Sequence, residues 1–262
     1  MRRYSLALAW ALVLFGGIGP ALAGDITVLS AGAMRSVVQA LAAPFEQASG
    51  NHLVFTFGTA GDVEKRLADG EVFDVAVATK PRLAKLEAAG TITTGSVVVV
   101  GRSPIALAVK QGAPKPDIGS VDAFKKTLLA AASIAYTDPA SGGTSGIHMA
   151  QVIRDLGIAD AVQAKFRPIT GKPGAPPAVG EAIARGEAEI GLQPVSELPG
   201  VPGIDIVDVI PAALQTSDLT YAAGLPTKGG ARDASSAFVK LLVSETGIAV
   251  VKAKGLIPGD GG

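Results

Sequence analysis

A two-lobed α/β fold is what this 262-residue sequence predicts, and three observations predict it. Short β-rich runs alternate with apolar-periodic helical stretches, a pattern that builds mostly parallel sheets flanked by helices. Glycines close the first helical stretches, so these are separate units rather than one long pattern. In mid-chain, and again near residue 220, the alternation gives way to the runs VVVVGRSPIALAV and SDLTYAAGL, which read as strands crossing between lobes.

Each element has its own signal. Residues 25–30 (DITVLS) form the first strand; Met34, Val37, Val38, Leu41 and Phe45 then recur at helical spacing until Gly50 stops the helix. The unit repeats as residues 53–57 (LVFTF), the turn GTAGD and a helix carrying Val63 and Leu67, ended by Gly70. A third copy is residues 74–79 (DVAVAT) followed by a helix over 81–89, closed by Gly90. Two β runs, 97–100 and 105–110, flank GRSP, and after the loop QGAPKPDIGS a helix covers 121–131. A second α/β set follows: a strand at 133–137, a helix from Thr144, a strand within 165–170, a helix over 178–185 and a strand at 189–194. Residues 204–210 and 219–225 are β-like, and helices over 234–243 and 246–254 close the chain. One lobe is expected to comprise residues 24–104 plus 221–262, and the other residues 105–220.

The N-terminus has the form of an export signal. Arg2 and Arg3 make a basic start, residues 6–18 are apolar but too short to span a bilayer, and Ala21-Leu22-Ala23 has the small-x-small form of a cleavage site. The expectation is a leader over residues 1–23, cleaved after Ala23, and a periplasmic protein. With no Cys anywhere, disulfides, thiolate catalysis and Cys-based metal sites are excluded. Lys+Arg and Asp+Glu balance at 23 each, and loss of the leader's two arginines leaves a slight acidic excess. That is no footprint for nucleic acid, which calls for a clustered basic surplus.

Three strand-to-helix turns are rich in small residues: Ser30-Ala31-Gly32-Ala33, Gly58-Thr59-Ala60-Gly61, and the stretch ASGGTSG over 140–146. In open α/β sheets ligands sit beyond the carboxyl ends of strands, and the first amides of a helix lack intrahelical partners while its dipole favours negative charge. Three such turns facing one cleft make an anion trap without any Lys or Arg. Any one of them alone is accounted for by capping and positive φ. The third, with Thr137, Ser141, Thr144 and Ser145 around its glycines, carries more hydroxyls than one cap needs. It is not a Walker loop, since Gly146 is followed by Ile147 and His148 rather than by Lys. His148, a turn inside that helix, is placed either to reach a ligand or to brace a neighbouring loop. Gln193, where a strand meets the cleft, has the same two readings. Two histidines far apart make no zinc site, and GGTSG does not match the G-x-S-x-G elbow of a hydrolase.

The order of ITVLSAGAMRSVVQALAAPFEQASG, FTFGTAGDVEKRLADGEVFDVAVAT, DPASGGTSG and AIARGEAEIGLQPVSEL resembles the molybdate-binding type of periplasmic solute-binding protein, of the type II superfamily. The resemblance implies two lobes closing on a tetrahedral oxyanion, delivery to an ABC permease in transient contact, a monomer, no cofactor and no enzymatic chemistry. It places ligand contacts at Gly32, Ala33, Thr59, Ala60, Gly61, Gly143, Thr144, Ser145 and Val179, to which the turn analysis adds His148 and Gln193. Where the family carries a donating Ser this chain has Ala33, and where it carries a Tyr this chain has Gln193-Pro194. Those changes direct the expected ligand toward a larger or asymmetric anion such as a small carboxylate. A ligand-sensing input to a membrane receptor and an exported hydrolase are the alternatives.

Overall fold

The computed structural model describes residues 24–171 and 178–259. The expected leader with its cleavage point after Ala23, and most of the loop before the helix at 179, lie outside the described residues.

Two sheets organise the chain. The first is six-stranded, in the order β11-β4-β10-β3-β1-β2. Its members are β1 (Asp25–Ala31), β2 (His52–Gly58), β3 (Val75–Thr79), β4 (Val98–Arg102), β10 (Thr220–Gly224) and β11 (Ile257–Pro258). The second is five-stranded, in the order β7-β6-β8-β5-β9. It contains β5 (Ile105–Lys110), β6 (Ile134–Thr137), β7 (Phe166–Ile169), β8 (Ile190–Pro194) and β9 (Ile204–Val209). The α/β alternation produces parallel pairing of β1 with β2 and β3, and of β6 with β7 and β8. The strands next to the crossings, β10 and β5, are antiparallel to both neighbours, so each sheet is more mixed than the alternation alone suggests. A strand that arrives from the opposite lobe enters its sheet against the local direction.

Among the described residues ten α-helices cover these sheets: α1 (Arg35–Ala40), α2 (Ala42–Ser49), α3 (Ala60–Ala68), α4 (Lys80–Ala88), α5 (Val121–Ala130), α6 (Thr144–Asp155), α7 (Ala159–Val162), α8 (Val179–Ala184), α9 (Arg232–Leu242) and α10 (Glu245–Ala253). The single helix expected between Met34 and Gly50 is broken at Leu41. Pro44 causes the break, because it offers no N–H to the Ala40 carbonyl and its ring crowds that carbonyl. Both faces of the first sheet are buried, as covered strands require. Val28, Val75, Val77 and Ala223 pack with Val37, Val38, Phe45 and Phe238. Leu29, Ala76, Ala78 and Ala222, on alternate positions, pack with Val63, Leu67, Leu83 and Leu86 from α3 and α4. In the second sheet Ala106, Ala108 and Ala135 face Val179 and Ile183 of α8.

One carboxylate ties the first sheet together. Asp74 Oδ2 accepts from the Thr27 amide at 2.9 Å and the Thr27 hydroxyl at 2.7 Å, while Oδ1 accepts from the amides of Gly230 at 2.8 Å and Ala231 at 3.1 Å. Burial pushes its pKa up, and these hydrogen bonds to the charged form outweigh that and hold it below the ordinary Asp value. A depressed acid contributes stability above its unfolded pKa and loses it as the pH falls through the folded value. Asp74→Ala is therefore expected to cost about 2–3 kcal/mol in urea unfolding at pH 7. Equal stabilities of variant and wild type at pH 7, or a gap that widens below pH 3.8, the ordinary Asp value, would contradict this account.

Candidate functional site

The carboxyl ends of both sheets face each other across a cleft. A cavity of about 30 Å³ lies there, walled by Ala31, Gly32, Ala33, Gly58, Thr59, Ala60, Thr137, Gly143, Thr144, Ser145, Pro194, Glu197 and Tyr221. Seven of the residues expected to contact ligand from sequence are in this wall: Gly32, Ala33, Thr59, Ala60, Gly143, Thr144 and Ser145. The space admits about one water, so the lobes are nearly shut. A larger cavity, about 630 Å³ between α5 and the adjoining end of the second sheet, shares no wall residue with the cleft.

Helix α6 supplies donors. Gly143 is its N-cap and brings no side-chain cap. The first backbone bond at that end runs from the Ile147 amide to the Gly143 carbonyl, at 3.1 Å. The amides of Thr144 and Ser145 precede it and have no acceptor in an earlier turn. The Thr144 hydroxyl is buried without a hydrogen-bond partner among the described residues. An orphan of that kind costs roughly 1–3 kcal/mol, which a ligand acceptor recovers.

Helix α3 behaves differently. Thr59 Oγ1 accepts from the Asp62 amide at 3.0 Å, and the Asp62 carboxylate in turn accepts from the Thr59 amide at 2.8 Å, forming a capping box. The same hydroxyl donates across the cleft to the Ser141 carbonyl at 2.7 Å. Thr59, read from sequence as a ligand donor, has its hydroxyl committed to the cap and to the opposite lobe. Gly61 is likewise engaged, its amide donating to the Gly142 carbonyl at 3.2 Å. A Cβ at Gly61 would stand 2.8 Å from Gly142 Cα, so glycine is required for this approach. Arg82, paired with Glu64, also donates to the Gly142 carbonyl, at 3.2 Å.

His148 and Val179 are outside the cavity wall. The His148 ring shares a hydrogen with the Leu214 carbonyl at 2.7 Å, which is the loop-bracing reading. Val179 is fully buried in the core of the second lobe. Gln193 borders an adjoining cavity of about 320 Å³, together with Gly32, Arg35, Ser36, Glu181 and Glu197. Among the described residues no group of three His, Asp or Glu is arranged to hold a metal ion.

Glu197 and Tyr221 are the wall residues with acid–base chemistry. Glu197 ends a 3-10 turn that follows β8. That turn is fixed from three sides. The Ser196 amide donates to Ser103 Oγ at 3.2 Å, the Val195 amide to the Pro104 carbonyl at 2.8 Å, and Ser36 Oγ to the Ser196 carbonyl at 3.2 Å. Burial pushes the Glu197 pKa up to about 8, a hydrogen bond with Gln193 and the charge of Arg35 pull it partly back, and Glu181 adds to the rise. Tyr221 is turned into the cleft where the register of β10 on β4 shifts, a bulge that re-aims the strand. Burial, then the charge of Glu197, raises its pKa, so the phenol keeps its proton. Neither residue was read as a site residue from sequence. Glu197 looks like an exposed turn acid, and Tyr221 like one position of a crossing strand.

Residues 26–257 match the family model of the bacterial extracellular solute-binding protein. A protein named "Aconitate isomerase" from a Pseudomonas species is 38% identical over 239 residues, covering 89% of this chain and 87% of that one. Among solved structures, the periplasmic molybdate-binding protein of Azotobacter vinelandii superposes with a TM-score of 0.74 at 19% identity, over 90% of this chain and all of that one. The sulfate-binding protein SubI of Mycobacterium tuberculosis gives 0.71 at 17% identity, over 90% of this chain and 88% of that one. At those identities the structures establish the two-lobed fold. The Pseudomonas relative is an enzyme by name, and it overturns the expectation that this cleft performs no enzymatic chemistry.

Two outcomes follow from the geometry. In Gly61→Ala the added methyl meets Gly142, while Ala suits a helix better by up to ~1 kcal/mol. The variant should melt within about 1 kcal/mol of wild type yet show a larger radius of gyration by small-angle scattering; an unchanged radius would mean that the glycine contact does not govern closure. For Glu197, an acid whose pKa is raised on folding, stability is full below pH 4.5 and declines as the pH rises to about 8. Glu197→Gln should thus be more stable than wild type by about 4 kcal/mol at pH 8, with the gap closing toward pH 4.5 in thermal melts.

Proposed function

The chain belongs to the bacterial extracellular solute-binding protein family, and from that premise we propose that its cleft binds a small polycarboxylate of the aconitate class and isomerises it. Membership itself gives the coarser statement: an extracellular protein that holds a solute between two lobes, with a transporter as partner in general terms. The finer reading draws on the 38%-identical relative and on one observation, the Glu197 carboxyl in the cleft wall beside the start of α6, where burial raises its pKa.

Aconitate is a propene bearing one carboxylate on each carbon. Moving a proton from its methylene carbon to the terminal vinyl carbon shifts the double bond and regenerates aconitate with its arms exchanged. The geometry about the new double bond is set by the conformation held in the site, so no double bond has to rotate. Glu197 as carboxylate removes the methylene proton, and that electron pair forms the new double bond to the central carbon. The pair of the old double bond moves onto the other arm as an enolate. The Glu197 acid then returns the proton to that arm's carbon, and no external oxidant or reductant is consumed. A base with a pKa near the working pH suits both halves of this cycle. The enolate is stabilised by preorganised donors, here the Thr144 and Ser145 amides, the Thr144 hydroxyl and the protonated Tyr221. Those same donors fit the carboxylate ligand foreseen from the loss of a Ser at Ala33 and a Tyr at Gln193-Pro194.

The test is to incubate the protein with either geometric isomer of aconitate and follow the interconversion by proton NMR. Turnover is expected, with kcat rising as the pH passes through about 8. Glu197→Gln should lower kcat by about 100- to 10,000-fold and leave binding nearly intact. Binding without conversion would leave a carrier, and stabilisation by molybdate or sulfate in place of any carboxylate would overturn the ligand class.

A further inference from the structure

The 30 Å³ cavity is too small for a tricarboxylate, yet it does not end at its own wall. Gly32 and Glu197 belong both to it and to the neighbouring cavity of about 320 Å³. The second space runs between the start of α1 and the turn after β8, with Arg35, Ser36 and Gln39 on one side and Gln193, Ser196 and Glu197 on the other. Among the described residues Arg35 is the sole cationic side chain in either wall. Its Nε is buried and has no hydrogen-bond partner among the described residues. Its guanidinium carbon lies over the Phe57 ring, 4.4 Å from the centroid, a cation–π contact that positions the group beside the cavity. Glu181, the other acid here, is an exposed residue at the rim.

We infer that this second cavity seats another carboxylate of the ligand, and that Arg35 is the specificity-determining residue that selects an extended polycarboxylate over a compact tetrahedral anion. The inference rests on the polycarboxylate reading of the cleft and deepens it. One carboxylate occupies the amide-lined end at α6, a second pairs with the Arg35 fork, and the carbon chain between them passes Glu197. The arrangement places the proton-bearing carbons beside the residue that moves the proton. A half-buried guanidinium whose buried Nε–H is unpaired is completed by a carboxylate, which offers two acceptor oxygens in one plane.

Binding is measured by calorimetry with propane-1,2,3-tricarboxylate, which has no double bond and cannot turn over, and by thermal shift with butanoate. Arg35→Met is expected to weaken the tricarboxylate by about 10- to 100-fold and to leave the response to butanoate unchanged. Arg35→Lys, which keeps the charge and loses the planar fork, should fall between Arg35→Met and wild type. If Arg35→Met and Arg35→Lys lower kcat on aconitate but bind the tricarboxylate within threefold of wild type, Arg35 acts only on Glu197 and the inference is wrong. A wild-type protein that binds no tricarboxylate would sink the polycarboxylate reading itself, and this inference with it.

Discussion

The meeting of two main chains across the cleft, Gly61 against Gly142, is the constraint on which the rest of the site depends. Neither position tolerates a side chain pointing at the other, and Gly142 also sits at a φ of +74°. Around this contact Thr59 reaches Ser141, Arg82 reaches Gly142 and Ser36 reaches Ser196. The carboxyl ends of two sheets are thereby drawn close enough for β1, α3, α6, β8 and β10 to line one small space. Without that approach the donors of α6 and the acid of the β8 turn would face bulk water, where each is worth far less.

The strand crossings and the turn that carries Glu197 are hydrogen-bonded to each other. Ser103 lies in the first crossing, its hydroxyl 2.9 Å from that of Ser196 and its amide donating to the Leu219 carbonyl at the second crossing. Glu197 is the next residue after Ser196, so the turn that mounts the carboxyl group is tied directly to the first crossing. A carboxyl kept largely protonated near neutral pH opposes folding as the pH rises, and it is retained where it carries chemistry. Glu197 and Tyr221, which share the wall of one cavity and both have raised pKa values, are candidates for a functional site that the hydroxyl-rich turn does not signal.

How much of this is legible in the sequence depends on whether the signal is local. Strand-to-helix turns carry their glycines and small residues in consecutive positions, and Gly32, Ala33, Ala60, Gly143, Thr144 and Ser145 were found that way. Thr59 belongs to a local signal too, T-A-G-D, whose capping reading was available and describes the hydroxyl better than ligand contact does. The Pro44 kink was equally readable from the missing N–H. Other features are tertiary. The partner of His148 is 66 residues away, and Arg35, Glu197 and Tyr221 come to line adjoining cavities only once both lobes are in place. No periodicity distinguishes Glu197 in PVSELPG from an ordinary surface acid.

The acceptors that bind lobe to lobe at Ser141, Gly142 and Ser196 are all main-chain carbonyls. Carbonyls do not mutate. The closing edge can persist while side chains in the two cavities are exchanged, provided that glycine is kept at Gly61 and Gly142. Selection can therefore retune what the cleft holds, or add a proton-transferring group to a holder, without rebuilding the motion that encloses it. A fold of this kind separates the inheritance of its movement from the inheritance of its chemistry, and that separation is a route by which one lineage comes to contain both carriers and catalysts.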